Sequence, residues 1–284
     1  MKPLIVHSKL LHCCLVLIGA LCFCCWQNSA LTLTQITFES ARLPGSFDGY
    51  TIVQISDLHS KRFGKAQIRL LEKIRALSPD LIVVTGDLVD SRRFDLAPVV
   101  ELMTQAVELA PVFYVSGNHE ARCGHYDEVC TTLQELGVIL LDNKSQTIQC
   151  QGESITLSGL ADPFFLATPD STGQASTREA LYALEQTQNF QILLSHRPEL
   201  FDLYLEYDMD LTFSGHAHGG QWRLPLAGGL YAPDQGLFPR YTAGLYQKES
   251  SGMVISRGLG NSLFPLRLFN WPELVAVTLR AVEN

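Results

Sequence analysis

Short apolar runs that end in a polar, chemistry-bearing residue alternate along this chain with stretches of helical spacing. The runs "YTIVQIS", "DLIVVTG" and "PVFYVSG" are rich in β-branched residues, which is typical of buried strands. Between them, "KAQIRLLEKIRAL" and "LAPVVELMTQAVELA" repeat apolar residues at helical spacing. Alternation of this kind predicts an α/β fold whose first half is largely parallel.

The remainder of the chain continues the pattern with more strands than helices. Helices are predicted at "YDEVCTTLQELG" and "STREALYALEQ", and "ARLPGSFDGY" is predicted to be a linker. Strands are predicted near "GVILL", "QTIQC", "SITLSGL", "FQILLS", "MDLTFSG", "GMVIS" and "ELVAVTL". A chain of 284 residues is long enough for one sizeable domain of this class plus an extra element.

Carboxylate, carboxamide and imidazole groups follow five of the predicted strands. They belong to Asp57, His59, Asp87, Asp90, Asn118, His119, His196, His216 and His218. Ligands of open α/β sheets bind beyond the carboxyl ends of the strands, so we expect these side chains to share one site. Carboxylate and imidazole donors without thiolates favour Zn²⁺, Mn²⁺ or Fe over Ca²⁺. The other histidines, His7, His12 and His125, stand outside any such motif.

The stretch "LTFSGHAHGGQW" combines two imidazoles with two glycines at the end of a predicted strand. Alternation along an extended backbone would send His216 and His218 to the same side, where both face one cavity. Gly219 and Gly220 remove side-chain bulk, which predicts a close approach of the backbone to metals or to an anion.

The N-terminal segment differs from the rest of the chain. From Leu10 to Trp26 there is no charged residue, which predicts a short membrane-spanning helix. Lys2 and Lys9 precede it, so we expect an uncleaved signal anchor with the catalytic domain outside the cytoplasm. The predicted organisation is an anchor in residues 1–30 and a catalytic domain in residues 31–284.

Composition restricts the partners. The net charge of -8 argues against nucleic acid as a stable partner, because a phosphate-backbone binder needs a basic face. Most of the eight cysteines lie in the apolar segment, and Cys123, Cys130 and Cys150 lack zinc-type spacing. A Cys123–Cys130 disulfide stays open as an alternative to buried thiols.

In order, the five motifs read D-x-H, G-D-x-x-D, G-N-H-E, a lone His and G-H-x-H. This pattern resembles the calcineurin-like metallophosphoesterases, and "SGHAHGGQW", "SRGLGNS" and "PLRLFNWPEL" look like their membrane-associated bacterial phosphodiesterase branch. The resemblance covers residues 32 to 282. It implies two facing mixed β-sheets flanked by helices in a four-layer sandwich, with a dinuclear centre at one edge.

The resemblance also implies the roles of the residues. One divalent ion (Mn²⁺, Fe or Zn²⁺) would be held by Asp57, His59, Asp87 and His218. The other would be held by Asp87, Asn118, His196 and His216, with Asp87 as the bridge. A metal-bridging hydroxide would be the nucleophile. His119 resembles the family's general acid, and Asp90 resembles the carboxylate that orients it, although a turn or helix-cap role for Asp90 stays open.

The expected activity is hydrolysis of a phosphodiester or a pyrophosphate. Protein phosphatases of this superfamily continue the second motif into D-R-G, whereas "VDSRR" lacks that glycine, which disfavours a phosphoprotein substrate. Relatives of the branch include UDP-2,3-diacylglucosamine pyrophosphatases, so lipid-linked substrates are expected. The stretch "GGLYAPDQGLFPRYTAGLY" is read either as a lipid-facing lip or as a packed loop.

Two alternative functions were weighed against this one. Other binuclear hydrolases place His-x-His early in the chain, whereas here it comes last. A non-catalytic, metal-stabilised membrane receptor or scaffold would lose the acid while keeping the ligands, yet His119 and Asp90 are both present.

Overall fold

The computed structural model of the protein describes residues 2–165, 174–184, 187–261 and 264–283, apart from the side chains of residues 2–11 and 13. The helices are α1 Lys2–Ser29, α2 Ile68–Ala76, α3 Ala97–Ala106, α4 Asn118–Arg122, α5 Tyr126–Glu135, α6 Gln174–Ala183 and α7 Phe201–Leu205. The strands are β1 Thr32–Ser40, β2 Thr51–Ile55, β3 Leu81–Thr85, β4 Val112–Val115, β5 Ile139–Leu140, β6 Lys144–Cys150, β7 Glu153–Gly159, β8 Phe190–Leu194, β9 Leu211–Ser214, β10 Arg223–Leu224, β11 Gly228–Gly229, β12 Tyr231–Ala232, β13 Gly236–Leu237, β14 Gly244–Lys248, β15 Ser251–Ile255 and β16 Glu273–Ala281.

The first sheet has the strand order β1-β16-β2-β3-β4-β5. Strands β2 to β5 pair in parallel, as the alternation of strands and helices predicts. Strand β16 pairs in parallel with β1 and antiparallel with β2, so a strand from the end of the chain lies inside the sheet. The sheet is therefore mixed.

The second sheet has the order β14-β15-β9-β8-β7-β6. Its four central strands are parallel, and each edge strand is antiparallel to its neighbour. Two small hairpins, β10–β11 and β12–β13, lie outside both sheets. They follow directly after the His-x-His motif.

The two sheets pack face to face between helices. One core lies between the sheets, where Ile52 and Phe113 meet Ile192 and Phe213. A second core joins the other face of the first sheet to α2, α3 and α5, and a third joins the second sheet to α6 and α7. Because successive residues of a strand face opposite sides, Val53 and Ile55 belong to the helix-side core while Ile52 faces the other sheet. These layers confirm the expected sandwich.

Strand β1 is the main element that the sequence analysis did not predict. Its residues "TLTQITFES" alternate in burial along the strand. This period-2 pattern is the signal of a half-buried strand, and it was present in the sequence.

The N-terminal helix α1 runs from Lys2 to Ser29 and packs its last turns on the domain. The ring of Phe23 lies 5.9 Å from that of Phe269, and Trp26 lies 5.5 Å from Trp271. Part of the predicted Leu10–Trp26 span falls on side chains outside the described residues. No helix in the described part of the chain has both the length and the apolar character needed to cross a membrane.

Candidate metal centre

Every sequence-predicted site residue lies beyond the end of a central parallel strand, and the strands of both sheets end at the same edge. The first sheet supplies Asp57, His59, Asp87, Asp90, Asn118 and His119, and the second supplies His196, His216 and His218. All of these side chains are buried. The centre is thus built across the two sheets.

The first group of donor atoms comes from Asp57, His59, Asp87 and His218, and these atoms lie within 4.8 Å of one another. His218 Nε2 is 3.3 Å from Asp57 Oδ1, and His59 Nε2 is 3.7 Å from Asp87 Oδ2. The Nε2 atoms of His59 and His218 are 3.1 Å apart. Donors bound to one ion at about 2.0–2.2 Å have separations of this order.

The second group shares Asp87. His196 Nε2 lies 3.2 Å from Asp87 Oδ2 and 3.2 Å from His216 Nδ1, within a cluster that spans less than 4.8 Å. Asn118 Oδ1 is buried without a hydrogen-bond partner, and such an orphaned oxygen is expected where a cation completes its contacts. Because Asp87 Oδ2 faces both groups, this carboxylate is placed to bridge two ions.

The charge states suit metal binding. Burial lowers the pKa of His59 to about 3 and that of His218 well below its usual value, so both imidazoles keep a lone pair for a cation. Burial would lower the pKa of His196 as well, but the carboxylate of Asp87 raises it to about 10. The negative charge of Asp87, which raises the pKa of His196, also attracts a divalent cation. These donors therefore fit the expected pair of ions.

Backbone and side-chain acceptors orient two of the imidazoles. Thr85 C=O accepts a hydrogen bond from His196 Nδ1 at 2.7 Å, which leaves His196 Nε2 for the centre. The carboxylate of Asp234, in the β12–β13 turn, lies 2.9 Å from His216 Nε2, and Arg197 Nη1 lies 3.1 Å from the same nitrogen, so His216 Nδ1 is the nitrogen left for the centre. Outer partners of this kind set the tautomer of a metal-binding histidine.

A buried arginine holds Asp234 in place. Arg197 Nη1 donates to Asp234 Oδ2, while Arg197 Nε and Nη2 bind Asp162 at 2.6 and 3.0 Å. Sequence analysis assigned no role to Asp162 and did not single out Arg197 or Asp234. Only the adjacency of Arg197 to His196 could have drawn attention to it.

His119 lies beside the donors, with its ring centroid 4.5 Å from that of His59. Ser91 N–H donates to His119 Nδ1 at 3.0 Å, so the proton of the neutral imidazole lies on Nε2. Asp90 Oδ1 is 3.8 Å from Nδ1, beyond hydrogen-bond distance. Asp90 instead accepts hydrogen bonds from the backbone and guanidinium of Arg92. Ser91 therefore makes the direct hydrogen bond to His119, and the orienting role of Asp90 stays a prediction.

Glu120 is a structural residue of the G-N-H-E motif that sequence analysis left without a role. Its buried carboxylate accepts hydrogen bonds from the backbone N–H of Asp87, Gly117 and Val89 at 2.8, 2.8 and 3.1 Å. Burial, followed by the charge of Asp87, raises the pKa of Glu120 to about 8. Glu120 ties the loops after β3 and β4 together.

The local backbone differs from the expectation for His216 and His218. Strand β9 ends at Ser214, and both histidines have positive φ, 64° and 47°, so alternation along a strand is not what brings them together. Asp57, His59 and Asp87 share this rarely populated conformation. Positive φ at such residues is typical of functional sites, where the surrounding structure holds the strain.

The glycines after this motif have a packing role that the sequence did not indicate. A Cβ on Gly219 would lie 2.3 Å from Asn270 Oδ1, and one on Gly220 would lie 2.3 Å from Gly229 Cα. The two glycines therefore make room for Asn270 and for the β10–β11 hairpin. A close approach of their backbone to a metal or an anion stays a prediction.

A cavity of about 250 Å³ opens beside the centre. Asp87, Asn118, His119, His216 and His218 line it together with Arg122, Tyr231 and Phe264. Exposed apolar side chains occur on and beside the two hairpins, among them Trp222, Leu226, Leu237 and Phe238. A lipid-facing lip in the stretch "GGLYAPDQGLFPRYTAGLY" stays a prediction.

Comparison with known proteins bears on this centre. The model of the calcineurin-like phosphoesterase family matches residues 50–220. The "Uncharacterized metallophosphoesterase YkuE" of Bacillus subtilis (strain 168) is 33% identical over 256 residues, covering 88% of this chain and 86% of the relative. The "Phosphodiesterase YaeI" of Escherichia coli (strain K12) is 29% identical over 237 residues, covering 81% and 82%.

A longer mammalian protein is also similar. The "Transmembrane protein with metallophosphoesterase domain" of Bos taurus is 28% identical over 267 residues, which cover 90% of this chain and 58% of the relative. The family match covers more than half of the chain and contains every residue of the donor cluster. The chain therefore belongs to the calcineurin-like phosphoesterase family, as a hydrolase whose cofactors are divalent metal ions.

Proposed function

We propose that the protein hydrolyses phosphodiesters or pyrophosphates at a dinuclear centre. Asp57, His59, Asp87 and His218 hold one ion, and Asp87, Asn118, His196 and His216 hold the other. The observation that carries this proposal is the shared position of Asp87 Oδ2, which lies 3.7 Å from His59 Nε2 and 3.2 Å from His196 Nε2. The name of the Escherichia coli relative, a phosphodiesterase, supports the substrate class.

When bound, the two ions neutralise phosphate charge and make water a nucleophile near neutral pH. The residues of the chain supply position and proton transfer. The imidazoles and carboxylates come from loops that are fixed by Glu120, Thr85 and Asp234, so their geometry is set before a substrate arrives. Preorganised donors of this kind avoid reorganisation during the reaction.

We assign His119 as the proton donor to the leaving oxygen, acting in its imidazolium form, because a neutral imidazole would have to become an imidazolate. It lines the cavity next to Asn118, and Ser91 N–H contacts its Nδ1. Asp90, 3.8 Å from Nδ1, acts on His119 through its charge rather than through a hydrogen bond. A non-catalytic receptor would need no such donor beside its ligands, which favours the enzyme.

The first experiment is hydrolysis of bis-p-nitrophenyl phosphate by the full chain with added Mn²⁺. Asp87→Asn is expected to reduce kcat/KM by more than about 100-fold and to lower bound metal, because one carboxylate serves both ions. Asp127→Asn, an exposed aspartate on α5, is the matched control and should behave as wild type. Full activity in Asp87→Asn would contradict the proposal. Metal-loaded protein that turns over no ester would favour the receptor alternative.

We also propose that the protein works at a membrane surface on a lipid-linked substrate, anchored through α1. Leu15, Leu17 and Leu21 on α1 are more than half exposed, and the hairpin tip carries a fully exposed Leu226. The name of the Bos taurus relative supports a membrane setting. Isolated exposed leucines are common on soluble surfaces, but several along one helix, together with an exposed hairpin tip, are consistent with a membrane contact.

Cosedimentation with phospholipid vesicles tests this second proposal. We expect Leu226→Asp together with Phe238→Asp to reduce vesicle binding while leaving turnover of bis-p-nitrophenyl phosphate intact. Leu33→Asp, an exposed leucine on strand β1, is the matched control. Vesicle binding unchanged by the double substitution would show that the lip does not touch lipid.

A further inference from the structure

The cavity beside the metal centre contains groups that neither the donors nor the proton donor require. Arg122, Tyr231 and Phe264 line it. Its volume of about 250 Å³ is just below the ~300–1,000 Å³ of typical small-molecule sites. A phosphate and one ring would fit.

Arg122 is placed to bind an anion. It follows Asn118 by four residues on α4, so the two side chains share one face of the helix. Its guanidinium lies over the ring of Phe164, 3.8 Å from the centroid, which holds it through a cation–π contact. Among the described residues, none forms a salt bridge with Arg122, so its N–H donors are available to a ligand.

Two other arginines near the centre are committed to carboxylates. Arg197 is bound by Asp162 and Asp234, and Arg92 is bound by Asp90. Arg122 is thus the arginine of this cavity whose planar fork can take phosphate oxygens.

Tyr231 and Phe264 line the cavity as an aromatic wall, and Trp222 packs on Phe264. The centroids of Tyr231 and Phe264 are 6.4 Å apart, and those of Trp222 and Phe264 are 5.6 Å apart. Tyr231 is 40% exposed, so part of its ring is open to a ligand. It lies three residues before Asp234, which binds His216, so the wall is fixed relative to the metal centre.

We propose that this cavity is a substrate subsite that selects one esterified group of a phosphodiester. Arg122 binds a non-bridging oxygen of the phosphate, and the wall of Tyr231 and Phe264 packs against a planar ring carried by the ester. This inference rests on the proposed function, because it deepens the choice of substrate at the same centre.

Two substrates that differ in one group test the subsite. The full chain with Mn²⁺ is expected to hydrolyse bis-p-nitrophenyl phosphate with a KM about tenfold lower than that for methyl p-nitrophenyl phosphate, the gain expected of an aromatic contact. Tyr231→Ala should remove that difference, and Tyr231→Phe should keep it. Arg122→Ala should raise KM for both substrates by about 10- to 100-fold, with Arg122→Lys intermediate.

Two phosphonates that cannot be hydrolysed as esters test the subsite by binding alone, without turnover. Calorimetry of the Mn²⁺-loaded chain should show phenylphosphonate binding about tenfold more tightly than methylphosphonate. Tyr231→Ala should abolish this preference, and metal content measured in parallel should stay at the wild-type value.

Equal KM values and equal phosphonate affinities in the wild type would overturn the subsite, even if both esters were hydrolysed. A phenyl preference that survives Tyr231→Ala would also overturn it. If neither ester were hydrolysed while the phenyl preference were present and depended on Tyr231, the subsite would stand and the proposed function would fail.

Discussion

Asp234 shows how far the metal centre depends on a residue that is not itself a proposed ligand. It accepts from His216 Nε2 and is in turn bound by Arg197. Its carboxylate therefore decides which nitrogen of His216 faces the centre.

Asp234→Asn is expected to weaken binding of the second ion by about 10- to 100-fold, because the amide no longer enforces the Nε2–H tautomer. Calorimetric titration of the metal-free chain with Mn²⁺ measures the affinity for each ion directly. Asp127→Asn serves again as the control. Unchanged affinity for both ions would show that Asp234 only packs the hairpin.

At the scale of single residues, the sequence predicted which side chains come together at the centre but not which residues support them. Asp57, Asn118 and His196 could be found because each follows an apolar run in a known order. Ser91 and Asp234 could not, since their roles depend on contacts across 28 and 18 residues that no local pattern encodes. The positive φ of His216 was equally hidden from periodicity.

Among the elements, the β10–β11 hairpin packs closely on the backbone that follows the His-x-His motif. Gly220 has φ of 79°, and a Cβ there would come within 2.3 Å of Gly229 Cα. Two backbones meet at this point, so neither can yield as a flexible side chain would.

Gly220→Ala is expected to lower the free energy of unfolding by about 1–3 kcal/mol through strain and overpacking. Urea unfolding of the full chain measures it. Gly45→Ala is the matched control, because a Cβ there meets nothing within 4 Å. If Gly220→Ala lowered the free energy of unfolding only as much as Gly45→Ala does, the hairpin would shift to accommodate the added Cβ at no cost in stability.

The helices and strands predicted from the sequence match the structure where the spacing of apolar residues is regular. Helix α2 and strands β2, β3 and β4 lie where apolar spacing placed them. The hairpins after His218 were not predicted as strands, because pairs of two residues carry no periodic signal.

Across the whole molecule, the centre joins the two sheets. Asp57 and Asp87 come from the first sheet, whereas His196 and His218 come from the second. Cations bound between them would therefore resist separation of the layers as well as serve the reaction.

Adding Mn²⁺ to the metal-free chain is expected to raise its melting temperature. A free concentration 100 times Kd contributes about 2.7 kcal/mol per site to the folded state. Differential scanning calorimetry with and without Mn²⁺ measures this, and the shift should be smaller in Asp87→Asn. An equal shift in that variant would place the stabilising ion elsewhere.

Strand β16 has a consequence for how the protein is made. It supplies the pairing partner of β1 along the full length of that strand, from Thr32↔Glu273 to Ser40↔Ala281. During synthesis β1 emerges from the ribosome before strands β2 to β15. It therefore has no pairing partner until β16 has been made. Until then β1 and β2 are not joined, and the edge of β2 is open to other chains. The nascent protein thus depends on protection from aggregation until residues 273–281 have emerged, and the sheet closes as a late event.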